Sequence, residues 1–155
     1  MDALFEKSLR YPICQIVGPH GTGKSTLLLG LLKCYENRGE KVRFLFFNDQ
    51  HRRIPDDITF QEEQLFVDGM EQLPKWEQVR FRYRAKRLIF TVHRPLWFIP
   101  ILYRTQPQFS VFVEIVRQLL PVLPDESVLR EVFDRSGCNF RSAFFDLYDR
   151  WEKRD

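Results

Sequence analysis

From Gly18 to Thr26 the chain reads Gly-Pro-His-Gly-Thr-Gly-Lys-Ser-Thr. The residue types and their spacing satisfy G-x-x-x-x-G-K-[ST]. Glycines let successive main-chain N–H groups turn inward, and a helix opening there adds its positive end, so the stretch can cradle phosphates. In that chemistry Gly18, Pro19, His20, Gly21, Thr22 and Gly23 form the backbone wrap. Lys24 reaches the terminal phosphates, the Ser25 hydroxyl is a magnesium ligand, and Thr26 extends the ring of donors. His20 holds a variable place in the pattern, and no side-chain chemistry is expected of it. A chance match in a glycine turn arises about once in a hundred chains of this length. The flanks argue against chance, because an apolar run precedes the motif and a leucine-rich helical stretch follows it.

A phosphate loop that does chemistry needs a carboxylate for the metal and a group that orients the attacking atom. The segment LFVDGMEQL (65–73) offers both. Asp68 closes an apolar strand and is the candidate second metal ligand, while Glu71 is a candidate for polarising water. The competing reading is a plain turn at Asp68-Gly69 with Glu71 in solvent. LIFTVHRP (88–95) places Thr91, His93 and Arg94 at the end of another strand, the edge where ligands of parallel sheets bind. His93 could bond the γ-phosphate or water and Arg94 could neutralise it; the alternative is a backbone-capped histidine beside an exposed arginine.

The elements that must position these groups alternate. Ile13–Val17 is a short apolar run between Pro12 and Gly18, which suits a buried strand. Residues 25–38 read as a helix, with Leu28, Leu31, Leu32 and Tyr35 on one face and Gly39 placed to end it. Leu27 and Leu29 widen that face, so cover on more than one side is expected. Further strands are expected at 41–48, 64–69 and 87–95, and a fifth at 96–103, bent at Pro100. Residues 51–61 read as polar loop. Residues 79–86 alternate apolar and basic like a strand, yet two parallel strands need a crossover between them. Trp76, Val79 and Tyr83 fit one helical face and Pro74 suits a helix start, so a helix is expected there. Beyond Gln108 the spacing predicts helices over 109–120, 126–135 and 139–151. The whole reads as an α/β parallel sheet of about five strands, with residues 1–105 as nucleotide-binding core and 106–155 as a helical lid.

This combination resembles the ASCE division of P-loop ATPases, which includes the AAA+ and the signalling (STAND, NACHT-containing) ATPases. The motif at 18–25 matches Walker A. FVDGMEQL is similar to the NACHT pattern of aspartate, glycine, apolar residue and acidic residue. TVHRP is similar both to the AAA+ sensor, matching His93, and to the NACHT TSRP, matching Arg94. SGCNFRSAF (136–144) resembles the lid segment whose arginine senses the γ-phosphate, which here is Arg141. The resemblance implies a three-layer α/β/α P-loop NTPase fold, ATP rather than GTP, and Mg2+. Two departures stand out: Gly69 holds the place of the AAA+ catalytic glutamate, and Arg52, Arg53 and Arg104 are only candidates for an arginine finger. Arg141 has its own alternative, as the polar edge of a packed helix carrying Phe140, Phe144, Phe145 and Tyr148.

Composition bounds the rest. The 155 residues, 44% apolar, fit one domain with a real core, and 24 basic against 21 acidic residues leave a net charge of only +3. Nucleic acid is therefore a possible but not a favoured partner, and the basic run Arg80, Arg82, Arg84, Lys86 and Arg87 reads first as a solvated face. Cys14, Cys34 and Cys138 are scattered, and His20, His51 and His93 stand apart, which excludes a disulfide framework and a zinc site. MDALFEKSLRYP lacks the apolar stretch of a signal peptide, and no run reaches the ~20 residues of a membrane helix, so a cytoplasmic protein is expected. Three functions fit: an ATPase that drives a protein partner or a homo-oligomer, a small-molecule kinase, and a nucleotide-gated adaptor that hardly hydrolyses.

Overall fold

The computed structural model describes residues 1–61, 63–120 and 122–152. Pro121 and residues 153–155, which belong to the expected lid, lie outside them. The chain forms two compact units, one of Met1–Gly18 with Lys24–Arg104 and one of Pro19–Gly23 with Thr105–Asp155.

The first unit is built on five parallel strands: β1 (Ile13–Val17), β2 (Val42–Phe46), β3 (Gln64–Asp68), β4 (Arg87–Val92) and β5 (Ile101–Arg104). Their spatial order is β2-β3-β4-β1-β5. All five residues of β3 are buried, as a strand covered on both faces requires. Helices α1 (Asp2–Ser8) and α2 (Lys24–Glu36) cover one face, where Phe5, Leu28, Leu31 and Tyr35 meet Cys14, Ile16, Phe66 and Ile89. Helix α3 (Lys75–Arg84) covers the other, where Phe81 joins Leu65, Val67, Leu88 and Phe90. The result is the three-layer α/β/α sheet that the sequence leads one to expect.

Several local expectations need correction. Leu29 is 43% exposed, so the apolar stripe of α2 is narrower than its leucine content implies. In α3 the crossover is helical, but the face that argued for it is the wrong one. Trp76, Val79 and Tyr83 point outward, and Phe81 is the buried anchor, edge-on to Phe60 with ring centroids 5.1 Å apart. Residues 96–99 are not strand; β5 begins only at Ile101. Helix α1 carries no sequence signal of its own. Phe5 packs edge-on against Tyr35, and the Ser8 hydroxyl lies 2.8 Å from the Tyr35 hydroxyl.

The second unit contains α4 (Phe109–Leu119), α5 (Glu126–Arg135) and α6 (Phe140–Glu152). Phe112, fully buried, stacks among Phe109, Phe133, Phe140 and Phe144. On α6 the apolar residues divide. Phe140 and Ala143 are buried, whereas Phe145 and Tyr148 are 65% and 60% exposed. Helical periodicity explains the division, since 140, 143, 144 and 147 share one stripe and 141, 145 and 148 share another. Arg141 is therefore exposed, on the outward stripe rather than at the edge of the packed one.

Candidate functional site

In a parallel sheet every strand points the same way, so the carboxyl ends of β1, β3 and β4 meet at one edge. Val17 pairs with Val92, and the Gly18 N–H donates to the Val92 carbonyl at 3.2 Å. The residue after β4, His93, thus stands beside the start of the phosphate-loop sequence. Val67 pairs with Phe90, which sets Asp68 next to Thr91. The Thr91 hydroxyl donates to Asp68 Oδ1 at 2.5 Å and accepts from the Gly69 N–H at 3.0 Å. Asp68 is held by this pair at the sheet edge, nearly buried.

The turn after Asp68 explains an anomaly in the sequence. Gly69 has φ +80°, and a Cβ there would overlap the Phe47 carbonyl. No side chain is accommodated at the position that the resemblance gives to a catalytic glutamate. A single 3-10 turn, Met70–Gln72, follows and brings Glu71 back to the same edge. Glu71 Oε1 and His93 Nδ1 lie 2.5 Å apart, while Glu71 Oε2 is shielded from solvent with no hydrogen-bond partner among the described residues.

Lys24 opens α2 one residue earlier than expected and is 8% exposed. Its ammonium donates to the Gly18 carbonyl at 2.8 Å. Burial lowers its pKa, against the opposing pull of the Glu71 and Asp68 carboxylates. Burial raises the pKa of Glu71; its backbone hydrogen bond and Lys24 oppose the rise, and Asp68 adds to it. A cation and two carboxylates thus share a partly desolvated edge, where each interaction is stronger than in water.

Gly18, Lys24, Asp68, Glu71 and His93 are brought together in the sheet unit. Ser25 and Thr26 occupy the first turn of α2, half-buried and exposed respectively. Arg94 is exposed, with no ion pair to another described residue. Arg104 is exposed at the end of β5, and Arg52 is paired with Asp49 on the surface. Pro19, His20, Gly21, Thr22 and Gly23 belong to the helical unit. There Gly21 has φ +69° and a Cβ would run into the Asn139 amide, while the Gly21 carbonyl accepts from the Phe140 N–H at 3.2 Å. The Thr22 hydroxyl donates to the Pro19 carbonyl at 2.8 Å and lies 2.6 Å from that of Thr105. Asn139 and Thr105 were not anticipated. For Asn139 a signal existed, an asparagine directly before a helical stretch, the preferred N-cap type.

The donor set fits the groups implied. A buried ammonium suits a polyphosphate. One nearly buried carboxylate and one hydroxyl suit Mg2+, which takes few protein ligands and keeps phosphate oxygens and water. Among the described residues no group of three or more His, Cys, Asp and Glu side chains forms a metal cage.

No protein-family model matches the chain, and no curated protein matches it in sequence. Solved structures do share its fold. A crystal structure of a DNA replication initiation factor is 14% identical, with a TM-score of 0.66 over 95% of this chain and 58% of that one. DnaA from Aquifex aeolicus with AMPPCP bound is also 14% identical, with a TM-score of 0.62 over 92% of this chain and 57% of that one. The chain therefore spans less than three-fifths of either. At this identity the likeness is one of fold, a P-loop α/β fold of the DnaA type. No helix among the described residues is long and apolar enough to cross a membrane.

Proposed function

We propose that residues 18–26 bind the phosphates of ATP with Mg2+ and that the chain is an ATPase acting as a conformational switch on a protein partner or a second copy. The observation that carries this reading is the nearly buried Lys24, with the Asp68 and Glu71 carboxylates acting on it at the carboxyl edge of the sheet. A loop that merely turned would have no reason to desolvate an ammonium group there. In this reading Asp68 and Ser25 hold the metal, which neutralises charge on the terminal phosphates. Glu71 and His93 together orient water, the histidine holding the carboxylate through the contact between Nδ1 and Oε1. Arg94 and Arg141 are proposed as charge partners of the γ-phosphate, with 1–105 as core and 106–155 as lid. The DnaA structure with AMPPCP, an ATP analogue, supports ATP among the triphosphates. The order Asp68-Gly69-Met70-Glu71 and the TVHRP segment favour the STAND branch of this fold, and free cysteines suit a cytoplasmic location.

Calorimetry and phosphate release test it together. The expected results are saturable ATP binding at millimolar magnesium, abolished by Lys24→Ala, and release reduced about tenfold or more by Asp68→Asn. Unchanged ATP affinity in Lys24→Ala overturns the assignment. A second reading, a nucleotide-gated adaptor that hardly hydrolyses, is favoured by one feature: the position next to Asp68 admits no side chain. Tight binding without turnover selects it.

A further inference from the structure

The sheet unit carries a second concavity that shares no residue with the phosphate loop. It is a cleft of about 540 Å³ between the loop around residues 52–60 and helix α3, within the range of roughly 300–1,000 Å³ that small-ligand pockets occupy. Its walls are fixed. Ile54 and Phe60 pack against the core and Ile58 is buried in it, the Lys86 N–H donates to the Phe60 carbonyl at 3.0 Å, and Gln61 Nε2 donates to the Arg84 carbonyl at 2.7 Å. Four arginines, Arg52, Arg53, Arg80 and Arg84, line it with two acidic residues, Asp56 and Glu77.

Two features define what would fit. The guanidinium groups of Arg53, Arg80 and Arg84 offer forked donors to an anion, the geometry in which arginine recognises phosphate. Arg84 is held over the Phe60 ring at 4.7 Å, which fixes one of these forks. Trp76 lines the cleft with its side chain 63% exposed, an open face on which a flat ring can stack. Glu77 Oε1 faces Arg80 at 3.5 Å, while Oε2 is shielded from solvent. A phosphate and a flat aromatic ring together describe a mononucleotide.

We propose that this cleft is a second ligand site, for a mononucleotide or a heteroaromatic phosphate of that shape. The base stacks on Trp76, and its phosphate lies among Arg53, Arg80 and Arg84. The basic segment of α3 thereby acquires a role that a solvated surface would not need. The site stands independently of what the phosphate loop does.

Equilibrium titration of the full chain with GMP, AMP and ribose 5-phosphate, in a Lys24→Ala background, tests it. Saturable binding of either purine nucleotide is expected, with quenching of tryptophan fluorescence that Trp76→Leu removes. Arg84→Ala and Trp76→Leu should each weaken binding about tenfold or more. Both side chains are exposed, so circular dichroism should show these variants folded. Ribose 5-phosphate should bind about tenfold more weakly than the nucleotides. The proposal is overturned if neither mononucleotide saturates, if Arg84→Ala and Trp76→Leu leave affinity unchanged, if ribose 5-phosphate binds as well, or if only an oligonucleotide binds.

Discussion

The two units bury different chemistry. The interior of the sheet unit holds Gln15, Gln64, Lys24, Asp68 and Thr91 as well as the thiol of Cys14. In the helical unit, the buried polar side chains among the described residues are Thr22 and Thr105, beside a cluster dominated by Phe112, Phe133 and Phe140. A helical bundle can bury an apolar stripe and leave its polar groups outside. A sheet covered on both faces cannot, because its strand ends still have to reach a site. The lesson is that the sheet unit's stability is tied to polar partners and the helical unit's to packing.

The largest effect should come from breaking the packing. Phe112→Ala removes the hub of the aromatic cluster and should cost about 3–5 kcal/mol. Phe145→Ala, on the outward stripe of the same unit, should change stability by less than about 0.5 kcal/mol. Urea unfolding followed by helical circular dichroism checks both, and equal effects would break the comparison.

Next is the polar interior. Gln15 is fully buried in β1; its Nε2 donates to the Leu96 and Ile99 carbonyls at 2.9 and 2.8 Å, and its Oε1 accepts from the Leu96 N–H at 2.9 Å. Gln15→Leu keeps the volume and strands those three backbone groups, at a cost of about 2–4 kcal/mol. Amide exchange at Leu96 should accelerate before any exchange in α4–α6 does. Simultaneous acceleration would mean that the loop is held by something else.

These same contacts mark where the sequence was legible. Strand limits were readable where proline or glycine brackets an apolar run, as at Ile13–Val17, and the phosphate loop was readable because its chemistry fixes spacing. The loop at 96–99 was not. Its apolar letters read as strand, and what holds it is a glutamine from β1, remote in sequence, leaving Trp97 and Phe98 84% and 98% exposed. Helix α1 depends likewise on Tyr35, and α3 was rightly a helix although its buried face was misread. At the site, Asp68 and Glu71 were visible as candidates. The Glu71–His93 pair was not, because it depends on the left-handed turn at Gly69.

That turn gives a third, smaller effect. Gly69→Ala forces a Cβ onto the Phe47 carbonyl at a φ of +80°, which should cost about 1–3 kcal/mol. The shift should also part Glu71 from His93, so the His93 ring resonances should move in the NMR spectrum while those of Phe112 stay. Unmoved His93 signals would show that the turn does not place Glu71.

The smallest effect is the pH dependence that Cys14 gives the sheet unit. Cys14 is completely buried in β1, and burial pushes its thiol from 9.0 up to about 12, with Lys7 opposing. In the unfolded chain the thiol ionises near its ordinary value. Between 9.0 and about 12 the native state therefore holds a proton that the unfolded state has lost, and stability falls as pH rises through that window. The slope approaches about 1.4 kcal/mol per pH unit, so about that much should be lost between about pH 8 and about pH 10. Cys14→Ala should remove this component while keeping whatever slope the other groups contribute. Cys14 lies in the sheet unit, so Cys14→Ala should leave the pH dependence of exchange in α4–α6 unchanged, including what Tyr148 contributes there through its raised pKa. If wild type and Cys14→Ala decline in parallel, the thiol ionises freely and the sheet interior is wetter than its packing implies.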